Sequence, residues 1–526
     1  MHYNRLNQIF TMLCLFIFCK CSESKVTKDP PPNILFAIMD DATWEHMSAY
    51  GCQWVNTPAF DYVAENGILF NRAYTPNAKC APSRACILTG RNSWQLEEAA
   101  NHWPYYPEKF KTFPEVLLES GYHVGHTAKG WAPGIVRDIN GQKRNLIGKA
   151  YNQIELEPPT NAISKIDYAS NFNFFLEENS DQKPFFFWYG SYEPHRNYEY
   201  KSGANIGGKD ITDIDHVYEF WPDNSIVRND LLDYAVEIEY FDQHLQKMID
   251  ELTLSGQLDN TIIVVTSDNG MPFPRIKGQG YELSNHLPLA IMWPDGIRRK
   301  GREVNDIISF IDFAPSFLEV ANIKEPGMQS ITGKSLISIF KSSKDDIVEP
   351  SRNKVLIGKE RHDIGRPEDV GYPIRGIVKG DYLYVRNFEP TRWPAGNPET
   401  AYLNCDGSPT KTQCLQSRKD EDNYKFWLWN FGKRASQELY NIKDDPACLV
   451  NLALEENKVD LMKKMNLEMM VELKEQGDPR ALGKGEIFDR YSYADQKNVD
   501  FYNRFMAGEK LSTGWVNDTD FEKEKL

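Results

Sequence analysis

Short apolar runs alternate with amphipathic segments along the first part of the chain, and this alternation limits the possible folds most strongly. The first run, residues 33–39, follows a proline-rich stretch and ends at Asp40 and Asp41. Because it is short, continuous and apolar, it is typical of a buried strand. Further strands are predicted at 184–189, 261–266 and 287–293, and helices at 113–120, 163–178 and 230–254. Strands separated by helices of this length indicate an α/β fold with a mostly parallel central sheet, covered by helices on both faces.

Oxygen-bearing side chains follow two of these predicted strands. Asp40 and Asp41 end the first strand, and Asp268 and Asn269 follow the strand that begins at Thr261. Because ligands of such sheets bind at the carboxyl ends of the strands, we expect the four residues to meet at one edge. Either pair alone could form a loop cap or a turn. Together they offer the donors that hard cations prefer, and no Cys/His cluster has zinc spacing, so we expect calcium, with magnesium as the second choice.

The sequence pattern changes near residue 350. Short alternating runs at 354–358, 372–378, 382–386 and 438–440 precede a helical pattern at 458–475. They predict a smaller antiparallel sheet with one packed helix. We therefore divide the chain into a larger domain over residues 30–350 and a C-terminal subdomain over residues 351–480. The remaining residues, 481–526, form a polar and aromatic tail to which the sequence assigns no role.

The N-terminus has the pattern of an export signal. An apolar block at residues 9–19 is preceded by Arg5 and followed by a polar stretch. The block is too short to span a bilayer and has the length of a signal-peptide core, so we interpret residues 1–22 as a signal peptide. Cys19 and Cys21 could carry a lipid anchor, and an ordinary cleaved signal is the alternative. We expect an exported protein without a transmembrane span, either periplasmic, extracellular or lipid-anchored at the cell surface.

Two further cysteines bear on the expected oxidising compartment. Cys405 and Cys414 lie nine residues apart in a predicted polar loop. In an exported protein they could form a disulfide. Connectivity does not follow from sequence, so two free thiols are an equal alternative.

The run Cys80-Ala-Pro-Ser-Arg-Ala-Cys-Ile-Leu-Thr-Gly-Arg91 is the most specific motif of the chain. Cys80 has no second cysteine at C-x-x-C spacing, so this run is neither a metal-binding nor a redox motif of that kind. It closely resembles the signature of the type I sulfatases, a family with an alkaline phosphatase-like fold. The resemblance covers about residues 33–475, and the segments 194–196 and 266–274 are most similar to the heparan N-sulfatase branch.

This resemblance implies that Cys80 is oxidised before folding to formylglycine (3-oxoalanine), an aldehyde whose hydrate attacks sulfur. A formylglycine-generating enzyme is therefore an expected partner, and Pro82 and Arg84 are positions that it would read. The resemblance also implies that residues 30–350 form the catalytic domain. The four oxygen donors named above would bind one metal ion there, with the modified residue 80 as a fifth ligand.

Four more residues match family positions that bind sulfate or transfer a proton. Arg84 would hold the formylglycine hydroxyl, and Lys129 and Lys277 would bind the sulfate group. Such fixed cations stabilise the negative charge that develops when a sulfate ester is cleaved. His195, which follows a predicted strand, would protonate the leaving alcohol or amine.

The chain departs from the family pattern at two positions that bear on this chemistry. Tyr192 replaces the first histidine of the H-x-P-H segment that ends at His195. Trp131 replaces a histidine, two residues after the matched lysine, that is proposed to act as the base when the sulfated hemiacetal collapses. The nearby His123 and His126 are weak substitutes, because extended geometry places His126 on the side opposite the lysine. The role of this base is therefore vacant or filled from elsewhere.

The resemblance implies hydrolysis of a sulfate ester or sulfamate on a sulfated carbohydrate, such as ulvan or a glycosaminoglycan. The net charge of −15 does not attract a polyanion, so a local cationic pocket must hold the sulfate, and nucleic-acid binding is not expected. A phosphodiesterase or phosphonate hydrolase of the same superfamily is one alternative. A carbohydrate-binding pseudo-enzyme is another, but the retention of Cys80, Arg84, Lys129 and the metal-ligand set argues against it.

Overall fold

The protein is described by a computed structural model over residues 30–522. Its centre is an eight-stranded sheet in which every strand except Leu289–Met292 runs in the same direction. In spatial order the strands are Arg302–Val304, Ile68–Phe70, Leu289–Met292, Thr261–Ser267, Asn33–Met39, Phe185–Gly190, His123–Ala128 and Lys149–Ala150. The predicted α/β fold with a mostly parallel sheet is confirmed.

Helices cover both faces of this sheet. Alternating residues of Asn33–Met39 enter two separate hydrophobic clusters, because successive side chains of a strand point to opposite faces. The cluster on one face includes the helices Tyr168–Glu178 and Ser225–Leu254. The cluster on the other face includes the helices Cys80–Thr89 and Phe113–Glu119. The strand is thus buried on both sides, as its continuous apolar sequence predicts.

The predicted strand at 287–293 is divided in two. His286–Leu287 joins a small three-stranded sheet with Ala73–Tyr74 and Ile308–Ser309, whereas Leu289–Met292 belongs to the large sheet. Pro288 lies between them and has no N–H to donate to a sheet ladder, which explains the break.

A separate antiparallel sheet lies in the C-terminal part, and its four strands are Lys354–Lys359, Ile374–Lys379, Tyr382–Asn387 and Gln437–Asn441. The helix Val459–Glu475 packs on it through Met465, Met469 and Leu473. The predicted small sheet with one packed helix is therefore present. The exact division into domains stays a prediction.

Shorter elements connect these layers. The other helices are Pro58–Glu65, Ser202–Asn205, Glu282–Asn285, Phe313–Val320, Ile337–Lys341, Pro409–Gln416, Tyr424–Phe431, Ile487–Arg490 and Phe501–Met506, and a further strand pair is Tyr105–Tyr106 with Ile135–Val136. The described part of the tail packs back on the chain, since Phe501 shares a hydrophobic cluster with Ile364 and Leu403.

The predicted signal peptide, with Cys19 and Cys21, lies outside the described residues. Within residues 30–522, none of the helices combines the length and the hydropathy that crossing a membrane requires.

Candidate active site

The two acidic strand ends meet at one edge of the large sheet. Met39 pairs with Ser267 in the parallel register, so Asp40 and Asp268 leave the sheet side by side. The backbone N–H of Asp41 donates to Asp268 Oδ1 at 3.1 Å. The side-chain amide of Asn269 donates to Asp41 Oδ1 at 2.7 Å. The structure therefore brings together all four predicted oxygen donors, and all are buried.

The helix Cys80–Thr89 carries the signature motif to the same place. Cys80 is its first residue, and its Sγ lies 3.5 Å from Asp40 Oδ1 and 3.7 Å from Asp41 Oδ1. Arg84 follows one helical turn later on the same face. Its Nε donates to Asp268 Oδ2 at 2.7 Å, and its Nη1 donates to the Lys129 carbonyl at 2.7 Å. The remaining nitrogen, Nη2, has no hydrogen-bond partner within residues 30–522.

Two buried lysines contact the acidic cluster. Lys129 Nζ lies 2.7 and 2.6 Å from the two carboxylate oxygens of Asp40. Lys277 Nζ bridges Asp41 Oδ2 at 2.6 Å and Asp406 Oδ2 at 2.7 Å. Burial acts to lower the pKa of Lys277, but Asp406 and Asp41 outweigh it and raise that pKa well above its usual range. Both predicted lysines therefore lie at the site, and Lys277 is held there as a cation.

The donor set fits a hard cation. One ligand atom from each of Asp40, Asp41, Cys80 and Asp268 lies within 4.8 Å of the others. The Asn269 Oδ1 atom is buried and has no hydrogen-bond partner in the described part of the chain. An unsatisfied buried carbonyl oxygen is costly, and a bound cation would satisfy it. The residues that the sequence predicts as metal ligands thus form a buried cluster that could hold a metal ion.

Charges around the cluster keep Asp40 ionised. Burial acts to raise the pKa of Asp40, but Lys129, together with His195 and Arg84, lowers it overall. Burial raises the pKa of Asp268, and Arg84 opposes that rise. A divalent cation would favour the ionised form of both carboxylates.

A cavity of about 520 Å³ opens onto this cluster. It is bordered by Cys80, Lys129, His195 and Lys277, together with the aromatic side chains Trp103, Tyr192 and Trp515. Arg84 is fully buried and does not border the cavity, but it contacts Asp268 and Asp40 of the cluster. The cavity therefore has a charged floor and an apolar, aromatic wall, an arrangement that suits a ligand with one anionic group and a larger ring.

His195 lies at the side of this cavity. Its Nδ1 is 2.7 Å from the Arg196 carbonyl oxygen, which can only accept, so Nδ1 carries a hydrogen. Its Nε2 lies 3.8 Å from Asp41 Oδ2, and about a third of the side chain, 33%, is exposed. The ring can therefore reach a ligand in the cavity through Nε2, which is the nitrogen that proton transfer requires.

The position that lacks the family histidine offers no base. The indole N–H of Trp131 donates to the Ala81 carbonyl at 3.0 Å, and its ring packs edge-on against Tyr106. Trp131 thus supports the start of the helix that carries Cys80. Neither His123, which stacks on Phe175, nor the half-buried His126 borders the cavity.

Several further polar residues of the cavity were not predicted from the sequence. They include Lys79, His102, Asp363 and Asp406. Lys79 directly precedes the signature motif, and this position in the sequence could have been used to predict that it lies at the site. The other three lie in loops without a recognisable motif, and only the tertiary structure brings them to the site.

The structure resolves the alternative left open for two cysteines. Cys405 and Cys414 are free thiols. The expected polar loop is wrong, because both residues are buried and Cys414 lies in the helix Pro409–Gln416.

Comparison with known proteins identifies the family. The model of the Sulfatase family matches residues 32–323, more than half of the chain, so the chain belongs to the sulfatase family. It is 26% identical over 475 residues to human N-sulphoglucosamine sulphohydrolase, covering 82% of this chain and 88% of that protein. It is 25% identical over 455 residues to an ulvan-active sulfatase of Formosa agariphila, covering 85% of this chain and 81% of that protein.

A solved structure has the same fold. It is described as a complex with its substrate D-glucosamine-2-N,6-O-disulfate, and it matches with a TM-score of 0.60 at 20% identity, covering 85% of this chain and 98% of that one. Family membership and the site together define this chain as a hydrolase that acts on sulfate esters.

Proposed function

We propose that this sulfatase removes sulfate, bound as an ester or a sulfamate, from a sulfated carbohydrate such as a glycosaminoglycan or ulvan fragment. Two relatives that cover most of its length are named for N-sulphoglucosamine and for ulvan. The observation that carries the proposal is the position of Cys80, which borders the cavity together with Lys129 and Lys277 and belongs to an acidic cluster that could hold a cation. The aromatic side chains on the cavity wall supply surfaces on which a sugar ring can pack.

The nucleophile would be formylglycine made from Cys80. Burial raises the pKa of the Cys80 thiol well above its usual range, so the unmodified side chain stays protonated and is a weak nucleophile. Cys80 is only 2% exposed in the folded protein. A formylglycine-generating enzyme would therefore act on the chain before it folds.

The charged residues divide into three roles. Arg84, whose Nη2 lies 3.6 Å from Asp40 Oδ1 and has no hydrogen-bond partner among the described residues, would hold the hydroxyl of the modified residue 80. Lys129 and Lys277 border the cavity and would stabilise negative charge on the sulfate oxygens. His195 donates a proton from Nε2 to the leaving oxygen or nitrogen. A Ca²⁺ ion, with Mg²⁺ as the second choice, would be held by the four oxygen donors and would polarise a sulfate oxygen when bound.

The N-terminal sequence supports export. The apolar block at residues 9–19 has the length of a signal-peptide core. We propose that the protein is periplasmic, extracellular or lipid-anchored.

Parallel release assays test this function. Sulfated oligosaccharides of the glycosaminoglycan and ulvan types, including N-sulfated glucosamine, are incubated with protein co-produced with a formylglycine-generating enzyme, and inorganic sulfate is measured. Matched phosphate esters are assayed beside them, and Cys80→Ala is the control. Sulfate release that disappears in the control supports the proposal. Phosphate release without sulfate release would assign the site to phosphodiester or phosphonate chemistry instead.

A further inference from the structure

His102 is a second histidine of the active-site cavity, and none of the roles above uses it. Its side chain is 9% exposed and borders the cavity that Cys80 also borders. It lies on the loop before Tyr105–Tyr106, far from the sequence position of the missing family histidine. The cavity thus contains a histidine in addition to His195.

Hydrogen bonding fixes the tautomer of this ring. His102 Nδ1 lies 2.8 Å from Asp363 Oδ1, and Lys79 Nζ lies 3.0 Å from Asp363 Oδ2. Burial acts to raise the pKa of Asp363, but Lys79 and His102 lower it well below its usual range, so this carboxylate is ionised and can only accept. Nδ1 therefore carries the hydrogen, and the free electron pair lies on Nε2.

The Nε2 atom belongs to a ring that borders the cavity, and its electron pair accepts no hydrogen bond from the described residues. The atom itself is buried. Burial lowers the pKa of His102 to about 4, and although Asp363 opposes this effect, Lys79 and Lys277 add to it. The ring is therefore neutral at neutral pH. A buried, neutral imidazole oriented by a carboxylate is the arrangement that serves as a general base in other hydrolases.

We propose that His102 Nε2 is the base that restores the active site after sulfate transfer, in place of the histidine replaced by Trp131; this role rests on the proposed function of Cys80. His102 takes the proton of the free hydroxyl on the residue-80 carbon. The electron pair of that O–H bond forms the C=O bond, and the C–O bond to sulfate breaks with its electrons on oxygen. The products are the aldehyde, a sulfate dianion and a protonated His102, which returns its proton to water. Asp363 is a positioning residue, since it acts through the ring.

Trapping of the sulfated enzyme tests this role. His102→Gln cannot take the proton but leaves the first half of the reaction in place. We expect a burst of about one desulfated sugar per active site, followed by turnover reduced by roughly 10²–10⁴-fold, the usual scale for a lost general base. Intact-protein mass spectrometry should show a gain of SO₃ relative to the aldehyde hydrate, and the mass of the peptide that contains residue 80 should place the group there. His216→Gln, at an exposed histidine outside the cavity, is the matched control and should behave as wild type.

A second variant distinguishes loss of the base from loss of the folded structure. Asp363→Asn keeps the side-chain volume but can donate to Nδ1, which moves the ring hydrogen to Nε2, so it should trap the same species. Thermal unfolding of both variants is measured beside the kinetics, and a folded variant that retains SO₃ supports the role. Unchanged turnover in the variants, or loss of the burst in a folded variant, overturns the role of His102. If the wild-type protein still releases sulfate, the proposed function stays intact in that case. A wild-type protein that releases no sulfate overturns both.

Discussion

Arg84 and Asp268 are separated by 184 residues in sequence, yet the Arg84 Nε donates to Asp268 Oδ2 at 2.7 Å. Both side chains are fully buried. This pair joins the helix that begins at Cys80 to the strand end that supplies half of the oxygen donors. Removing one partner of a buried ion pair leaves an uncompensated charge. The position of Cys80 and the geometry of the acidic cluster therefore depend on each other.

Loss of Asp268 should therefore affect both activity and stability. In Asp268→Ala we expect activity to fall and the thermal midpoint to become insensitive to added Ca²⁺, because the variant loses a charged ligand and with it the stabilisation by bound metal. The measurement is thermal unfolding with and without Ca²⁺, beside the rate of sulfate release. Asp259→Ala, at an exposed residue before the same strand, is the control and should keep the Ca²⁺ response. Full activity in metal-stripped wild-type protein would contradict a metal role for the cluster.

Replacing His195 should change the dependence on the leaving group. In His195→Ala we expect turnover to fall by roughly 10²–10⁴-fold on a sugar sulfate, the usual scale for a lost general acid. An activated aryl sulfate needs little protonation of its leaving oxygen, so its turnover should fall much less. The measurement is kcat on both substrates for wild type and variant. Equal losses would instead assign His195 to binding or architecture and leave Lys129 or Lys277 as the donor.

Buried histidines away from the site should make stability depend on pH. Burial lowers the pKa of His244 from 6.5 to about 4 in the folded protein, so the unfolded chain binds more protons between these values. The contribution of neutral His244 is present above about pH 6.5 and is lost as the pH falls towards 4.

We expect the decrease in unfolding free energy between pH 7 and pH 5 to be smaller in His244→Gln by about 1–2 kcal/mol. Denaturant unfolding of wild type and variant at both pH values measures this difference. His216→Gln, at an exposed histidine, should leave the decrease unchanged. An unaltered decrease in His244→Gln would show that the pKa of this ring is the same in the folded and the unfolded protein, which would contradict the prediction.

The sequence predicts the residues at the centre of this site because regular secondary structure determines their positions. Asp40 and Asp268 follow strands whose apolar runs are plain in the sequence, and parallel strands end at the same edge. The match to known family motifs adds Cys80 and the cationic side chains of Arg84, Lys129 and Lys277. In contrast, His102, Asp363 and Asp406 lie in irregular segments, whose positions depend on packing that leaves no periodic pattern. The tail is a similar case, since Trp515 reaches the cavity wall through a hydrogen bond from its indole to the Leu403 carbonyl at 2.9 Å.

The state of Cys80 in active protein tests the central claim most directly. The measurement is the mass of the peptide that contains Cys80, taken from protein that releases sulfate, with buried Cys86 of the same helix as the internal reference. We predict that residue 80 has lost H₂S and gained oxygen, as conversion to formylglycine requires, while Cys86 keeps its thiol. Active protein in which residue 80 carries only an unmodified thiol would contradict the account.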